Sequence, residues 1–341
     1  MPKSKSPQIE LSIIIVSYNT AALTIQTIES TLEACAQKNH PLNAEIIVID
    51  NDSQDTSVID IERIAKQSKK IPVTLIKNKT NTGFATANNQ GMKIAKGKYV
   101  LLLNSDTIVS KNALISIVEA FDQNPIDNTT SDLSSYHGKL DKLGIQAATL
   151  LNPNKTPQPQ GGSFPTLFSL FTHMSMLDDL PLIGWLLPST QHTGKRSEIP
   201  NLLQSSNQLQ QKEWVAGTAL AIRKVVVERI GMLDEKIFMY GEDIEYCIRA
   251  KNHHWDIAEN LGSVIIHMGN ASGSSKRAIV GELTGYLYIW SKHKPYWQYP
   301  LVKAMILFGC HARVLLFGTI LGNQIKKEIY QHALEEIKKY E

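Results

Sequence analysis

Cysteine is scarce in this chain. Three occur in 341 residues, at Cys35, Cys247 and Cys310, and no two form a C-x-x-C pair. An odd count without paired spacing argues against a disulfide framework or a zinc knuckle and predicts reduced thiols. Excess charge is also lacking. Lys and Arg number 35 and Asp and Glu 32, a formal net charge of +3. So small an imbalance, with no dense basic stripe, predicts no nucleic-acid partner. Two phosphate-binding signatures are absent. No G-x-G-x-x-G follows the first apolar run, which disfavours a Rossmann dinucleotide site. No G-x-x-x-x-G-K-[ST] occurs, so the chain is no P-loop nucleotidase. Residues 1–10 are short and polar and do not read as a signal peptide. Residues 1–290 hold no apolar run long enough to span a bilayer. No internal repeat is visible.

What remains is ordinary globular material, 43% hydrophobic and 20% charged, enough for a sizeable core. Short β-branched apolar runs at 11–17, 44–50, 73–77 and 98–104 read as buried strands. Between and after them, helical patterns run from Thr20, a candidate cap, to about 36, then to about 68, from 83 to 96 and from 111 to 122. Four strand–helix alternations predict a parallel sheet with covering helices. Residues 124–142 are then polar and turn-rich, and 145–151 is strand-like. Residues 152–162 form a Pro/Gln/Gly loop. Residues 164–187 are apolar but interrupted, and 191–212 are polar and Gln/Asn-rich. Strand character returns at 214–222, helices follow at 225–230 and 242–251, and 264–267 ends a last strand.

The C-terminal part differs. Residues 278–292 read as a helix, 295–300 as an aromatic cluster, and 301–321 as a strongly apolar segment that carries Lys303, His311 and Arg313. A charge at mid-bilayer costs roughly 2.5–3.5 kcal/mol on insertion scales. A helix in the membrane interface is the favoured reading. A helix packed on the main domain and a true span stay open.

Open α/β sheets bind ligands at the C-terminal edge of their strands, and several residues fall there. Asp50 ends the second strand. It can accept a hydrogen bond from the N3–H of uracil or thymine, or serve as an ordinary turn aspartate. Asn81-Thr-Gly-Phe-Ala-Thr-Ala-Asn-Asn-Gln-Gly91 puts glycines and amides before a helix, a setting for a phosphate or merely a capped loop. Asn104-Ser-Asp106 ends the fourth strand and is a candidate ligand set for Mg2+ or Mn2+, which take oxygen ligands. His267 adds an imidazole or is structural. Glu242, Asp243 and Glu245 offer a general base or simply an acidic helix N-terminus.

Taken in order along the chain, these stretches resemble family 2 glycosyltransferases of the GT-A fold, nearest the bacterial rhamnosyltransferase-like branch. The resemblance runs from about 11 to 275. It is carried by Ser12-Ile-Ile-Ile-Val-Ser-Tyr-Asn19, Val48-Ile-Asp-Asn-Asp-Ser53, the 81–91 segment, Leu101-Leu-Leu-Asn-Ser-Asp-Thr107, Trp214-Val-Ala-Gly217, Gly231-Met-Leu-Asp-Glu235, Phe238-Met-Tyr-Gly-Glu-Asp243 and His267-Met-Gly-Asn-Ala-Ser272. It implies an α/β, GT-A-type nucleotide-diphospho-sugar transferase fold with a mostly parallel central sheet, flanking helices and a helical C-terminal extension. The implied division is 1–275 for the transferase domain, with 1–122 as nucleotide half and 123–275 as acceptor half, and 276–341 for the extension.

The resemblance also implies roles. Asp50 would contact the pyrimidine, and Ser17 and Asn19 would lie near the nucleoside. Asn88 and Asn89 would face the donor. Asp106, with His267 and Asn104, would hold Mn2+ or Mg2+. Asp243 would be the catalytic base. Trp214 and Gly217 would line the acceptor side, and Glu242 would bind substrate. One departure stands out: Asn104 occupies the first acidic position of the family's D-x-D motif, so the site carries one charge fewer. The expected reaction is an inverting transfer from a nucleotide-diphosphate sugar, dTDP-rhamnose first and a UDP-sugar second. The acceptor would be a saccharide or lipid-linked saccharide in cell-surface polysaccharide or O-antigen synthesis. The expected location is cytoplasmic, or peripheral on the inner face of the membrane through residues 295–321. A nucleotidyltransferase and an inactive GT-A-fold binding protein are the rival readings.

Overall fold

The computed structural model describes residues 8–126, 142–180, 184–188, 190, 209–269 and 276–340. The expectations for 127–141, 191–208 and 270–272 lie outside them.

The regular first part follows from its apolar runs. Strands β1 (Leu11–Ser17), β2 (Ala44–Asp50), β3 (Val73–Lys77) and β4 (Tyr99–Asn104) alternate with helices α1 (Ala21–Cys35), α2 (Ser57–Gln67) and α3 (Phe84–Ile94). β1 pairs in parallel with both β2 and β4, and β2 with β3. Buried on both faces, β1 and β2 are apolar almost throughout rather than alternating. Thr20 does not cap α1 through its side chain. Its hydroxyl instead bonds those of Thr24 and Ser105.

Beyond β4 the sheet turns mixed. The further elements are β5 (Thr107–Val109), α4 (Ala113–Gln123), β6 (Leu143–Leu151), β7 (Pro157–Gln158), α5 (Leu167–Met174), β8 (Leu209–Lys212), β9 (Ala219–Arg223), α6 (Lys224–Ile230), α7 (Glu242–Asn252) and β10 (Asp256–His267). The strand order is β3-β2-β1-β4-β9-β6-β10-β5, with β7 on β6 and β8 on β10. β9 runs antiparallel between β4 and β6. The strand expected over 214–222 is therefore confined to its second half. Trp214 makes only an isolated bridge to Gly162.

Helices α1, α2 and α4 cover one sheet face with Ile28, Ile61 and Ile117 among the buried side chains. Helices α3, α6 and α7 cover the other with Met92, Val226 and Tyr246. The three cysteines are buried and free.

Helices α8 (Lys276–His293), α9 (Gln298–Leu315) and α10 (Gln324–Lys339) follow. They are not a detached extension. Leu287, Trp290, Ile306 and Ile337 share a third core with Leu170 and Met174 of α5 and with Ile244 and Ile248 of α7. The run Gln298–Ile320 is long and apolar enough, by length and composition, to cross a membrane, and most of it is not buried. Each cationic or imidazole side chain in it has a protein partner. Arg313 donates to the carbonyls of Met174 and His173, closing the end of α5. Lys303 donates to Tyr340 O and His311 bonds Leu307 O. One side of α9 thus packs on protein, while Leu301, Phe308 and Leu315 stay exposed.

Candidate functional site

Register decides what meets at the sheet edge. In β1–β2 pairing Ser17 lies opposite Asp50, and in β1–β4 pairing Val16 lies opposite Asn104. The chain then reverses, and antiparallel β5–β10 pairing sets His267 opposite Thr107. Met268 N donates to Asp106 O at 2.9 Å. That register brings His267 Nε2 to 3.2 Å from Asp106 Oδ1. Across β4, Asn104 N donates to Thr218 O at 2.9 Å, which draws the 214–218 segment to the same edge.

These residues surround a cavity of about 780 Å3, within the range of small-molecule sites. Asn104, Ser105, Asp106 and His267 line it, as do Trp214, Gly217, Glu242 and Asp243. The two acidic segments that are far apart in sequence are therefore walls of one crevice.

On the Asp106 wall, His267 Nδ1 lies 2.7 Å from Gln158 Oε1. The carbonyl oxygen only accepts, so Nδ1 carries the proton. Gln158 Nε2 donates to Asn152 Oδ1, which fixes this orientation of the amide. With a proton on Nδ1, Nε2 is the ring nitrogen that can offer a lone pair to a cation shared with the Asp106 carboxylate. Among the described residues no three of His, Cys, Asp and Glu converge. A pair fits Mg2+ or Mn2+, which commonly take one or two protein carboxylates and fill their shell with phosphate oxygens and water. The donor set therefore fits such an ion, with Asn104 a neutral oxygen beside it.

The other wall is the N-terminus of α7. Asp243 Oδ2 accepts from Gly217 N at 2.9 Å and Oδ1 from Ile244 N at 2.8 Å. Burial raises its pKa above the usual carboxylate range, against the pull of these backbone bonds. Glu242 is 5% exposed, and its Oε2 has no hydrogen-bond partner. Burial, and then the charge of Asp243, push Glu242 up to about 8. Glu245 is turned away from the cavity. It binds Arg249, Lys292 and His293.

The remaining expected residues are placed differently. Ser17 is fully buried, and its hydroxyl bonds Thr24. Asn88 donates to Phe84 O within its own helix. Asn89 bonds Leu233 through both its N–H and its carbonyl and also reaches Glu235. Both are 1% exposed. These two amides hold α3 to the 233–235 segment and face the interior, not the cavity. Asn19, at φ 53°, joins the β1–α1 turn to Ser53 and Gln54. Asp50 is 2% exposed and outside the cavity lining. Its Oδ2 accepts from Ser53 N, and its Oδ1 has no protein partner.

Other lining residues were not singled out from the sequence. Asn51 and Asn81 bond each other at the cavity edge. Arg277, Glu282 and Tyr286 enter from α8. Gln158 lies in the Pro/Gln/Gly loop, whose composition was the one available signal.

Comparison with known proteins agrees with this architecture. Residues 12–178 match the model of glycosyl transferase family 2. The chain is 28% identical over 175 residues to poly-beta-1,6-N-acetyl-D-glucosamine synthase of Staphylococcus epidermidis, covering 50% of this chain and 40% of that protein. It is 33% identical over 115 residues to an uncharacterized glycosyltransferase of Haemophilus influenzae, covering 34% and 35%. The matches thus span well under two thirds of these relatives. In fold it is similar to the mannosyltransferase PcManGT from Pyrobaculum calidifontis in complex with GDP-Man and Mn2+, at TM-score 0.50 and 13% identity over 98% of this chain and 90% of that one. It is also similar to GalNAc-T7 with UDP, GalNAc and Mn2+, at TM-score 0.60 and 16% identity over 98% and 57%. Residues 12–178 are thus a family 2 glycosyltransferase domain, and the chain has a GT-A-type α/β fold.

Proposed function

We propose that the chain transfers a sugar from a nucleotide-diphosphate donor to a saccharide hydroxyl with inversion. The observation that carries this is the presence of Asp243 and the Asp106–His267 pair as walls of one cavity. Asp243 accepts the proton of the acceptor hydroxyl. The freed oxygen bonds to the anomeric carbon, and the bond from that carbon to the diphosphate breaks. A carboxylate whose pKa is raised by burial is a better proton acceptor at neutral pH than an exposed one. Asp106 and His267, with Asn104 beside them, would hold the divalent cation. What bound Mn2+ or Mg2+ supplies there is positive charge next to the departing diphosphate. Both structural neighbours were solved with Mn2+.

The donor base is proposed to be a pyrimidine, read by Asp50. Support comes from its Oδ1, buried at the sheet edge without a protein partner. dTDP-rhamnose leads a UDP-sugar as donor on the branch resemblance. The polysaccharide synthases among the relatives support a role in cell-surface polysaccharide assembly.

Peripheral membrane contact through 295–321 belongs to the same proposal, on the cytoplasmic face. Tyr296, Trp297, Leu301, Phe308 and Leu315 are exposed. Between Glu282 and Glu328 there is no acidic residue, while Lys294, Lys326 and Lys327 occur beside the apolar run. Apolar exposure with basic flanks suits an anionic lipid surface. Co-flotation with anionic but not neutral vesicles is the expected result.

The donor reading is tested by thermal unfolding with dTDP, UDP, GDP and CDP, each with and without Mn2+. A ligand that binds the native state raises the midpoint with the logarithm of its saturation. A metal-dependent shift for dTDP or UDP alone is expected. No shift with any nucleotide would favour a binding protein on a retired fold.

A further inference from the structure

Helix α8 lies beyond the 12–178 segment that matches the family model, yet it meets the site closely. It packs on the loop before α7 through two glycines. A Cβ on Gly281 would lie 2.6 Å from the carbonyl oxygen of Met239, and one on Gly285 2.4 Å from that of Tyr240. Both distances are far inside contact, so only glycine lets the helix backbone approach the loop this closely. A third glycine meets the same loop in a similar way. A Cβ on Gly83 would lie 2.6 Å from the carbonyl oxygen of Phe238, and Phe84 N donates to that oxygen at 2.7 Å. In this loop Tyr240 at φ 69° and Gly241 at φ 98° are consecutive left-handed residues. A non-glycine residue keeps such a conformation only where its surroundings dictate it. Glu242 and Asp243 come next in the chain.

We infer that Gly281 and Gly285 are positioning residues for Asp243, and that α8 is a working wall of the site rather than an appended helix. Ala278, Glu282 and Tyr286 of the same helix line the cavity. The inference rests on the reading of Asp243 as base. A methyl group on either glycine must push α8 away from the loop or move the loop itself. A shift of about 1 Å in a reacting group costs on the order of a hundredfold in rate. Ala is the better helix former, so the substitution does not weaken α8 as a helix, and its effect comes through the contact.

The test compares full-length wild type with Gly285→Ala and Gly281→Ala. Backbone amide exchange over 238–243 is read by mass spectrometry, and folding by circular dichroism. Nucleotide release from dTDP-rhamnose and from UDP-glucose with Mn2+, water serving as acceptor, gives kcat and KM. Expected are faster exchange in 238–243, a kcat lower by roughly 10- to 100-fold and a donor KM within about twofold of wild type. Unchanged exchange and kcat in a folded variant would overturn the inference. So would a kcat loss matched by an equal rise in KM, which would mark a general structural defect. If wild type consumes neither donor, the proposed donor chemistry fails, while the exchange measurement still decides whether α8 seats the loop. If Gly285→Ala does not fold, Gly281→Ala, with its longer contact, decides the matter.

Discussion

Glu242 and Glu245 stand on the same first turn of α7 and meet opposite environments. Glu245 is buried against α8. Burial opposes its charge, but His293, Arg249 and Lys292 outweigh burial and hold its pKa below the usual glutamate range. Arg249 is in turn tied to the carbonyls of Ile230 and Met232. Glu242 faces the cavity, with an unpartnered oxygen and a raised pKa. The face of α7 that meets α8 is fully partnered and holds the helix in place. The face that meets the cavity leaves carboxylate capacity unused. Structural acids recruit partners, while acids kept for a ligand are left without them at a cost to stability.

Breaking the partnered face should have the largest effect on stability. Glu245→Ala strands Arg249, Lys292 and His293, and removing one member of a buried ion pair costs roughly 3–5 kcal/mol. Lys292 keeps Asp234 as a second partner, which places the expectation near about 3 kcal/mol, read from urea unfolding at pH 7. Because the folded pKa of Glu245 is lowered, its contribution is present above the unfolded value of 4.5 and is lost as pH falls through the folded value. The difference between variant and wild type should therefore shrink in acid. A constant difference would contradict the ion-pair account.

The cavity face should respond with the opposite sign. Glu242 has a raised folded pKa, so its favourable contribution is full below 4.5 and is lost as pH rises through about 8. Glu242→Gln should match wild type below pH 4.5 and exceed it above pH 8 by about 1–3 kcal/mol, the cost of an unpartnered buried polar group. A variant less stable than wild type at pH 8 would show that Glu242 has protein partners after all.

A smaller effect is expected at Gln158, which fixes the His267 proton on Nδ1. Gln158→Ala should weaken Mn2+ binding in the presence of UDP by about tenfold, the low end for an outer partner of a metal ligand, with little change in melting temperature. Titration calorimetry checks it. Unchanged affinity would remove Gln158 from the proposed cation site.

How far the sequence alone revealed the molecule differs between its regions in the same physical way. Strands β1 to β4 announce themselves because each is a local apolar run followed by a local helical pattern. The antiparallel insertion of β9 between β4 and β6 depends on long-range pairing that no local pattern records. Leu209–Lys212 is polar yet forms β8, because its backbone adds to β10. Within the site, Asp106, His267, Glu242 and Asp243 stood out because chemistry restricts such tasks to a few residue types. Asn88 and Asn89 carry the right chemistry on the wrong helix face, and their direction appears only when Leu233 is seen beside Asn89. Glycines 281 and 285 have no chemistry of their own, and their value lies in the carbonyls of Met239 and Tyr240.

The central claim is that Asp243 takes the proton in sugar transfer. The most direct measurement is Asp243→Asn, with turnover of dTDP- and UDP-sugars followed as a function of pH and binding of the matching nucleotide diphosphate measured alongside. Asn keeps the carbonyl oxygen that Gly217 N requires and cannot accept the proton. The account predicts a loss of roughly 100- to 10,000-fold in kcat, with nucleotide affinity retained. It also predicts that wild-type kcat falls as pH drops below the raised pKa of the Glu242–Asp243 pair, a limb the variant lacks. Full turnover in Asp243→Asn would contradict the assignment of the base.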